Sequence, residues 1–123
     1  MSIVYVVGLG PGAGEQMTAQ ARQALEQCPV IAGYTVYIDL IREEFPEKQF
    51  LMTPMRKEAE RCKMALEQAQ QGQDVAMVCS GDAGVYGMAG LMYELKADYP
   101  GVELKIVRGS PRRPEERQYW ALR

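Results

Sequence analysis

The sequence holds 123 residues, 47% of them hydrophobic and 24% charged, which suits one domain with an ordinary core and excludes a multidomain protein. A formal net charge of −2 argues against nucleic acid as partner, and no apolar run approaches the length of a membrane span. Histidine is absent, which removes the commonest general base and metal ligand and sets aside a zinc centre or a Ser-His triad.

The chain opens with residues 3–8, IVYVVG, a β-branched apolar run suited to a central strand buried on both faces. Gly8, Gly10, Pro11 and Gly12 end it abruptly. Thr18 can cap a helix in which Ala21, Leu25 and Cys28 recur on one face, and Pro29 stops it. Residues 30–33 form a second short strand. Residues 34–41 then read as a loop turning into a helix with Tyr37, Leu40 and Ile41 inward.

Residues 50–53 make a third strand, less apolar and so placed at an edge. Residues 55–71 give the clearest helix, with Ala59, Cys62, Leu66 and Ala69 on one face, Glu60 and Lys63 on the other, and Gly72 ending it.

Residues 75–90, VAMVCSGDAGVYGMAG, organise the rest. An apolar strand passes into the turn Ser80-Gly81-Asp82-Ala83-Gly84, and helical spacing runs from Met88 through Leu91, Met92 and Leu95. Open α/β sheets bind ligands at such carboxyl ends, where helix N-termini point unpaired N–H groups. Glycine inside a helix costs about 1 kcal/mol relative to alanine, so Gly87 and Gly90 suggest close approach by a neighbouring strand or a ligand. Asp82 as an N-cap, with close helix-to-sheet packing, is the plainer alternative. Residues 102–107 form a fifth strand. The order β-α-β-α-β-α-β-α-β calls for one open parallel sheet covered on both faces, a Rossmann-like three-layer α/β fold.

Cys28, Cys62 and Cys79 each fall in an apolar setting and read as reduced core thiols of a cytoplasmic protein. No secretory leader is visible at the start. The match Gly8-x-Gly10-x-x-Ala13 is formally a dinucleotide fingerprint, but Pro11 lacks an N–H where a pyrophosphate would need one. Gly33 and Tyr34 stand where an acid should hold a ribose, and no Gly-Lys-Ser/Thr follows to make a Walker A loop. A rigid Gly-Pro-Gly turn beside an acidic Ser-Gly-Asp turn suits a ligand with an amino group, a ribose and a positive centre, for which Asp82 can accept hydrogen bonds.

The segments VGLGPG at 7–12, GYTVYIDLI at 33–41 and SGDAGVYGMAGL at 80–91 resemble the tetrapyrrole methylases, within them the precorrin-3B C17-methyltransferases of cobalamin biosynthesis. So does the intervening stretch at 55–82, MRKEAERCKMALEQAQQGQDVAMVCSGD. The resemblance runs from about Ile3 to Gly109. It implies S-adenosyl-L-methionine as cofactor, precorrin-3B or its cobalt form as methyl acceptor, a homodimer, and a first-domain sheet in the order 3-2-4-1-5. It also implies that Pro11, Ser80, Gly81, Asp82 and Val85 contact the cofactor, and that Gly10 and Gly12 face the substrate. Tyr34 aligns with a position where some relatives hold a catalytic acid, and is a candidate substrate contact.

In that family the fifth strand leads into a second α/β domain, whereas here Gly109 is followed by SPRRPEERQYWALR. Residues 111–123 carry four Arg and two Glu, or +2, which leaves −4 for the first 110. Residues 1–109 are expected to be the family's first domain and residues 110–123 a solvated basic tail of a truncated or frame-changed chain. Such a chain is expected to bind its cofactor weakly and to turn over little by itself. A non-catalytic binding module is the alternative, and a nucleotide-binding domain of another kind is disfavoured by the missing acid near Gly33.

Overall fold

The structure is a computed structural model that describes residues 2–9, 17–54 and 57–109, with the side chains of Asp82 and Ala83 left aside. Strand β1 spans Ser2–Leu9, helix α1 Ala19–Gln27, β2 Val30–Tyr34, α2 Thr35–Ile41 and β3 Gln49–Thr53. Helix α3 spans Glu58–Gln70, β4 Val75–Ser80, α4 Gly81–Leu95 and β5 Val102–Val107. The five strands form one sheet in the order β3-β2-β4-β1-β5, and all four pairings are parallel. The order expected from the resemblance is therefore the order found.

Alternation along the strands sorts their side chains between two cores. Val4, Val6, Val30, Ala32, Val75 and Met77 face α3 and α4, packing with Cys62, Leu66, Val85 and Met92. Val7, Leu9, Ile31, Ala76 and Val78 face the other way, toward Leu25 of α1 and Ile38 and Ile41 of α2. Both faces are covered, so β1, β2 and β4 can be apolar almost throughout. β3 lies at the edge as expected, with exposed or half-buried residues up to the buried Thr53.

Local signals set the element ends. The Ala21 N–H donates to Thr18 Oγ1 at 3.0 Å, so Thr18 caps α1 as the sequence predicts. Gly72, at φ +104°, ends the last turn of α3 in the left-handed region that favours glycine. At the amino ends of the strands, the Ile3 N–H donates to Asp74 Oδ1 at 2.8 Å and ties the start of β1 to the approach to β4.

Three local expectations are corrected. Tyr34 ends β2 and α2 begins at the next residue, without a loop. Ile38 and Ile41 form the buried face of α2, which turns Leu40 outward to 57% exposure, while Tyr37 is half-buried. On α3 the buried set is Arg61, Cys62, Ala65, Leu66 and Ala69, and Ala59 stays exposed in the first turn. The sequence expected that helix from residue 55, and residues 55 and 56 lie outside the described set.

Candidate functional site

The topology alone marks one end of the sheet. Among the described residues the helix that follows β1, α1, lies on one face, while α4, which follows its parallel neighbour β4, lies on the other. Such a reversal opens a crevice where ligands bind in open α/β sheets. Leu9 stands opposite Ser80 in the β1–β4 register, so the two strands end level with each other. Pro11 follows Leu9 by two residues in the chain. Gly10, Pro11 and Gly12 lie outside the described residues.

The passage from β4 into α4 is shorter than the glycine-rich turn the sequence suggests. Ser80 is extended, at φ −84° and ψ 108°, and Gly81 at φ +60° is already the first residue of the helix. One residue in the left-handed region reverses the chain, which is why glycine stands there. Ser80 therefore occupies the N-cap position and makes no side-chain cap hydrogen bond, and Asp82 is the second helical residue instead of the cap. Gly84 lies over Ser80, where an added Cβ would come within 3.0 Å of the Ser80 Oγ.

Beside this junction is a cleft of about 260 Å³ at the carboxyl end of β4. One wall is the start of α4, with Gly84, Gly87, Met88 and Leu91, and the floor is Cys79 and Ser80. Opposite stand Tyr34, Tyr37, Glu58 and Arg61. The two tyrosine rings meet edge to face, 5.3 Å between centroids at 86°, which fixes the aromatic wall. Nothing described lies within 4 Å of a Cβ built on Gly81, Gly87 or Gly90. Gly84 apart, the glycines of α4 thus make no close approach to a described neighbour, and Gly87 keeps one side of the cleft open.

Arg61 is the residue sequence reasoning missed. It is 6% exposed, its Nη1 donates to Thr53 Oγ1 at 2.6 Å, and its guanidinium lies 5.9 Å from the centre of the Tyr34 ring. Thr53 in turn accepts at its carbonyl from Thr35 Oγ1 at 3.2 Å, so the end of β3 and the start of α2 hold this group in place. The spacing did carry a signal: Arg61, Ala65 and Ala69 step by four along the buried face of α3.

The cysteines offer no nucleophile. Burial pushes the Cys79 thiol up to about 12, with neighbouring Cys62 adding to the rise and Arg61 opposing it. Burial likewise raises Cys28 to about 12 and Cys62 to about 11. All three are free thiols. Among the described residues no group of three His, Cys, Asp or Glu could hold a metal ion.

Of the residues singled out from the sequence, Ser80, Gly81 and Tyr34 come together at this end of the sheet, and the Asp82 backbone joins them in the first turn of α4. Val85 does not face the cleft: it is 1% exposed and packs on the strand side, its Cγ2 only 2.7 Å from where a Cβ of Gly8 would stand. Its side chain is a core contact that seats α4 on β1.

Comparison with known proteins agrees with the fold. The family model for tetrapyrrole (corrin/porphyrin) methylases matches residues 3–111. The probable cobalt-factor III C(17)-methyltransferase of Salmonella typhimurium is 43% identical over 108 residues, 87% of this chain and 45% of that protein. The precorrin-3B C(17)-methyltransferase of a Sinorhizobium species is 36% identical over 110 residues, 86% of this chain and 43% of that protein. The crystal structure of the methyltransferase CobJ superposes with a TM-score of 0.73 at 34% identity, covering 89% of this chain and 46% of that one. The chain thus spans less than half the length of these relatives. With a family match over nearly all its length and the sheet order found here, the chain belongs to the tetrapyrrole (corrin/porphyrin) methylases.

Proposed function

We propose that this chain is the cofactor-binding half of an S-adenosylmethionine-dependent C-methyltransferase that acts on a corrin-type tetrapyrrole, precorrin-3B or its cobalt form, at C17. The observation that carries this reading is the level ending of β1 and β4, Leu9 opposite Ser80, in a chain whose relatives are named as C17-methyltransferases.

The residues at this end of the sheet fit the cofactor. Tyr34, Tyr37, Met88 and Leu91 offer apolar and aromatic surface to a nucleoside and a thioether, while Gly81 and Gly87 leave room for close approach. Ser80, Glu58 and Arg61 are the polar groups available to fix an amino-acid end. Pro11, the Ser80-Gly81-Asp82 turn and the backbone at Val85 are the proposed cofactor contacts; Gly10, Gly12 and Tyr34 are the proposed substrate contacts. When bound, S-adenosylmethionine supplies a sulfonium methyl already activated for transfer to an electron-rich ring carbon. What remains for the protein is alignment and exclusion of water, and alignment of two reactants can lower a barrier by about 7 to 11 kcal/mol. No residue is asked to form a covalent bond, which agrees with thiols held protonated by burial.

The test is methyl transfer. The chain is incubated with S-adenosylmethionine carrying a labelled methyl, the cobalt form of the precorrin, and a separately expressed carboxyl-terminal half of the Salmonella relative. Labelled product that requires both halves supports the reading. An intact mixture that transfers no methyl contradicts it and favours a non-catalytic binding module.

A further inference from the structure

A guanidinium does not shed its proton in proteins, and a buried cation is costly unless paired. Arg61 is more than nine-tenths buried, yet among the described residues it meets no carboxylate at ion-pair distance. Of its five N–H donors, one is used there, on the Thr53 hydroxyl. It is not stranded in apolar packing, because it lines the open cleft beside Ser80. The Thr53 bond and the Tyr34 ring hold the planar group, so its donors are positioned before any ligand arrives.

We propose that Arg61 is the receptor for a ligand carboxylate in this cleft, pairing with it through the donors that Thr53 leaves over. The proposal rests on the reading of the cleft as the cofactor and substrate site. A carboxylate could reach it from the amino-acid end of the sulfonium cofactor or from a side chain of the macrocycle. Glu58, one turn before Arg61 and on the same wall, favours the first source, since a zwitterionic end offers it an ammonium while Arg61 takes the carboxylate.

Three probes separate these cases on the full 123-residue chain. S-adenosylhomocysteine carries the amino-acid end, 5′-methylthioadenosine is the same nucleoside thioether without it, and uroporphyrin III carries macrocycle carboxylates. Binding is measured to the unsubstituted chain, to Arg61→Lys and to Arg61→Met, with circular dichroism to confirm folding. The expected result is a roughly 10- to 100-fold weaker affinity of Arg61→Met for S-adenosylhomocysteine, a smaller loss for Arg61→Lys, and methylthioadenosine binding unchanged. A loss confined to uroporphyrin assigns the same pairing to the macrocycle.

Should Arg61→Met fail to fold, the unsubstituted chain still answers. Its Arg61 Nε–H NMR signal moves with a carboxylate-bearing probe and stays still with methylthioadenosine. Probes that bind equally to all three proteins, with that signal unmoved, overturn the proposal and leave the cofactor reading standing. Absence of binding by all three probes overturns both.

Discussion

Two sets of glycines at the same end of the sheet do opposite work. Gly8 and Gly109 are sealed: a Cβ on Gly8 would stand 2.8 Å from the Gly109 nitrogen, and one on Gly109 would stand 2.9 Å from the Gly8 carbonyl carbon. Gly81 and Gly87, on α4, have nothing within 4 Å where a Cβ would be. The first pair is required by packing, because two backbones pass where no side chain fits. Gly81 is set by its left-handed backbone at φ +60°, whereas Gly87 has neither that reason nor a described contact, yet glycine weakens a helix. Glycines required by close packing, by a left-handed turn or by neither look alike in a sequence, and the space around them together with the sign of φ separates them.

The buried interior, both cores together, is open to the largest test. Its three thiols have folded pKa values of about 11 to 12 against an ordinary 9.0. The folded state therefore holds these protons more tightly than the unfolded chain. Their contribution to stability is intact below pH 9 and is lost progressively as pH rises through about 11 to 12. Urea midpoints should fall above pH 9 while thiolate absorbance of the native protein stays silent there; thiolate appearing at pH 9 without unfolding would show a leaky core.

Next in size is Gly8→Val, which drives a side chain into the Gly109 backbone and Val85. It should cost about 3 kcal/mol or more, read as a lowered thermal midpoint. Asp74→Ala probes the other end of the same strands by removing the acceptor of the Ile3 N–H. A loss of about 1 to 2 kcal/mol is expected, with ligand binding at the far end unchanged.

Smallest in stability, and opposite in sign, is Gly87→Ala. The added methyl meets no described atom, so helix stability should rise by up to about 1 kcal/mol while affinity for S-adenosylhomocysteine falls. A variant stabilised with full affinity would remove Gly87 from the site.

Much of this was legible in the sequence. The β-branched run at β1, the apolar run at β4, the Thr18 cap and the Gly72 stop are local signals, and local physics decides them. The sheet order came from family resemblance, because no local pattern distinguishes β4 beside β1 from β4 at an edge. The start of α4 was not legible: Gly81 and Gly84 are poor helix formers, and a sequence reading places them in a turn. Tertiary packing of Val85, Ala89 and Met92 on the sheet overrides that preference. On α2, a helix of seven residues is too short for periodicity to choose between Ile38 and Leu40 as its inward side. Arg61 was hidden because a search for apolar stripes passes over a charged residue that shares the stripe's spacing.

The central claim is that the passage from β4 into α4, with its cleft, receives the nucleoside cofactor. It is tested most directly by titrating S-adenosylhomocysteine into the 15N-labelled chain and following backbone amides. The account predicts saturable shifts at Gly81, Gly84 and Gly87, with residues of the β3 edge such as Phe50 and Leu51 unmoved. Saturable shifts confined to β3, or none anywhere at millimolar ligand, would contradict it.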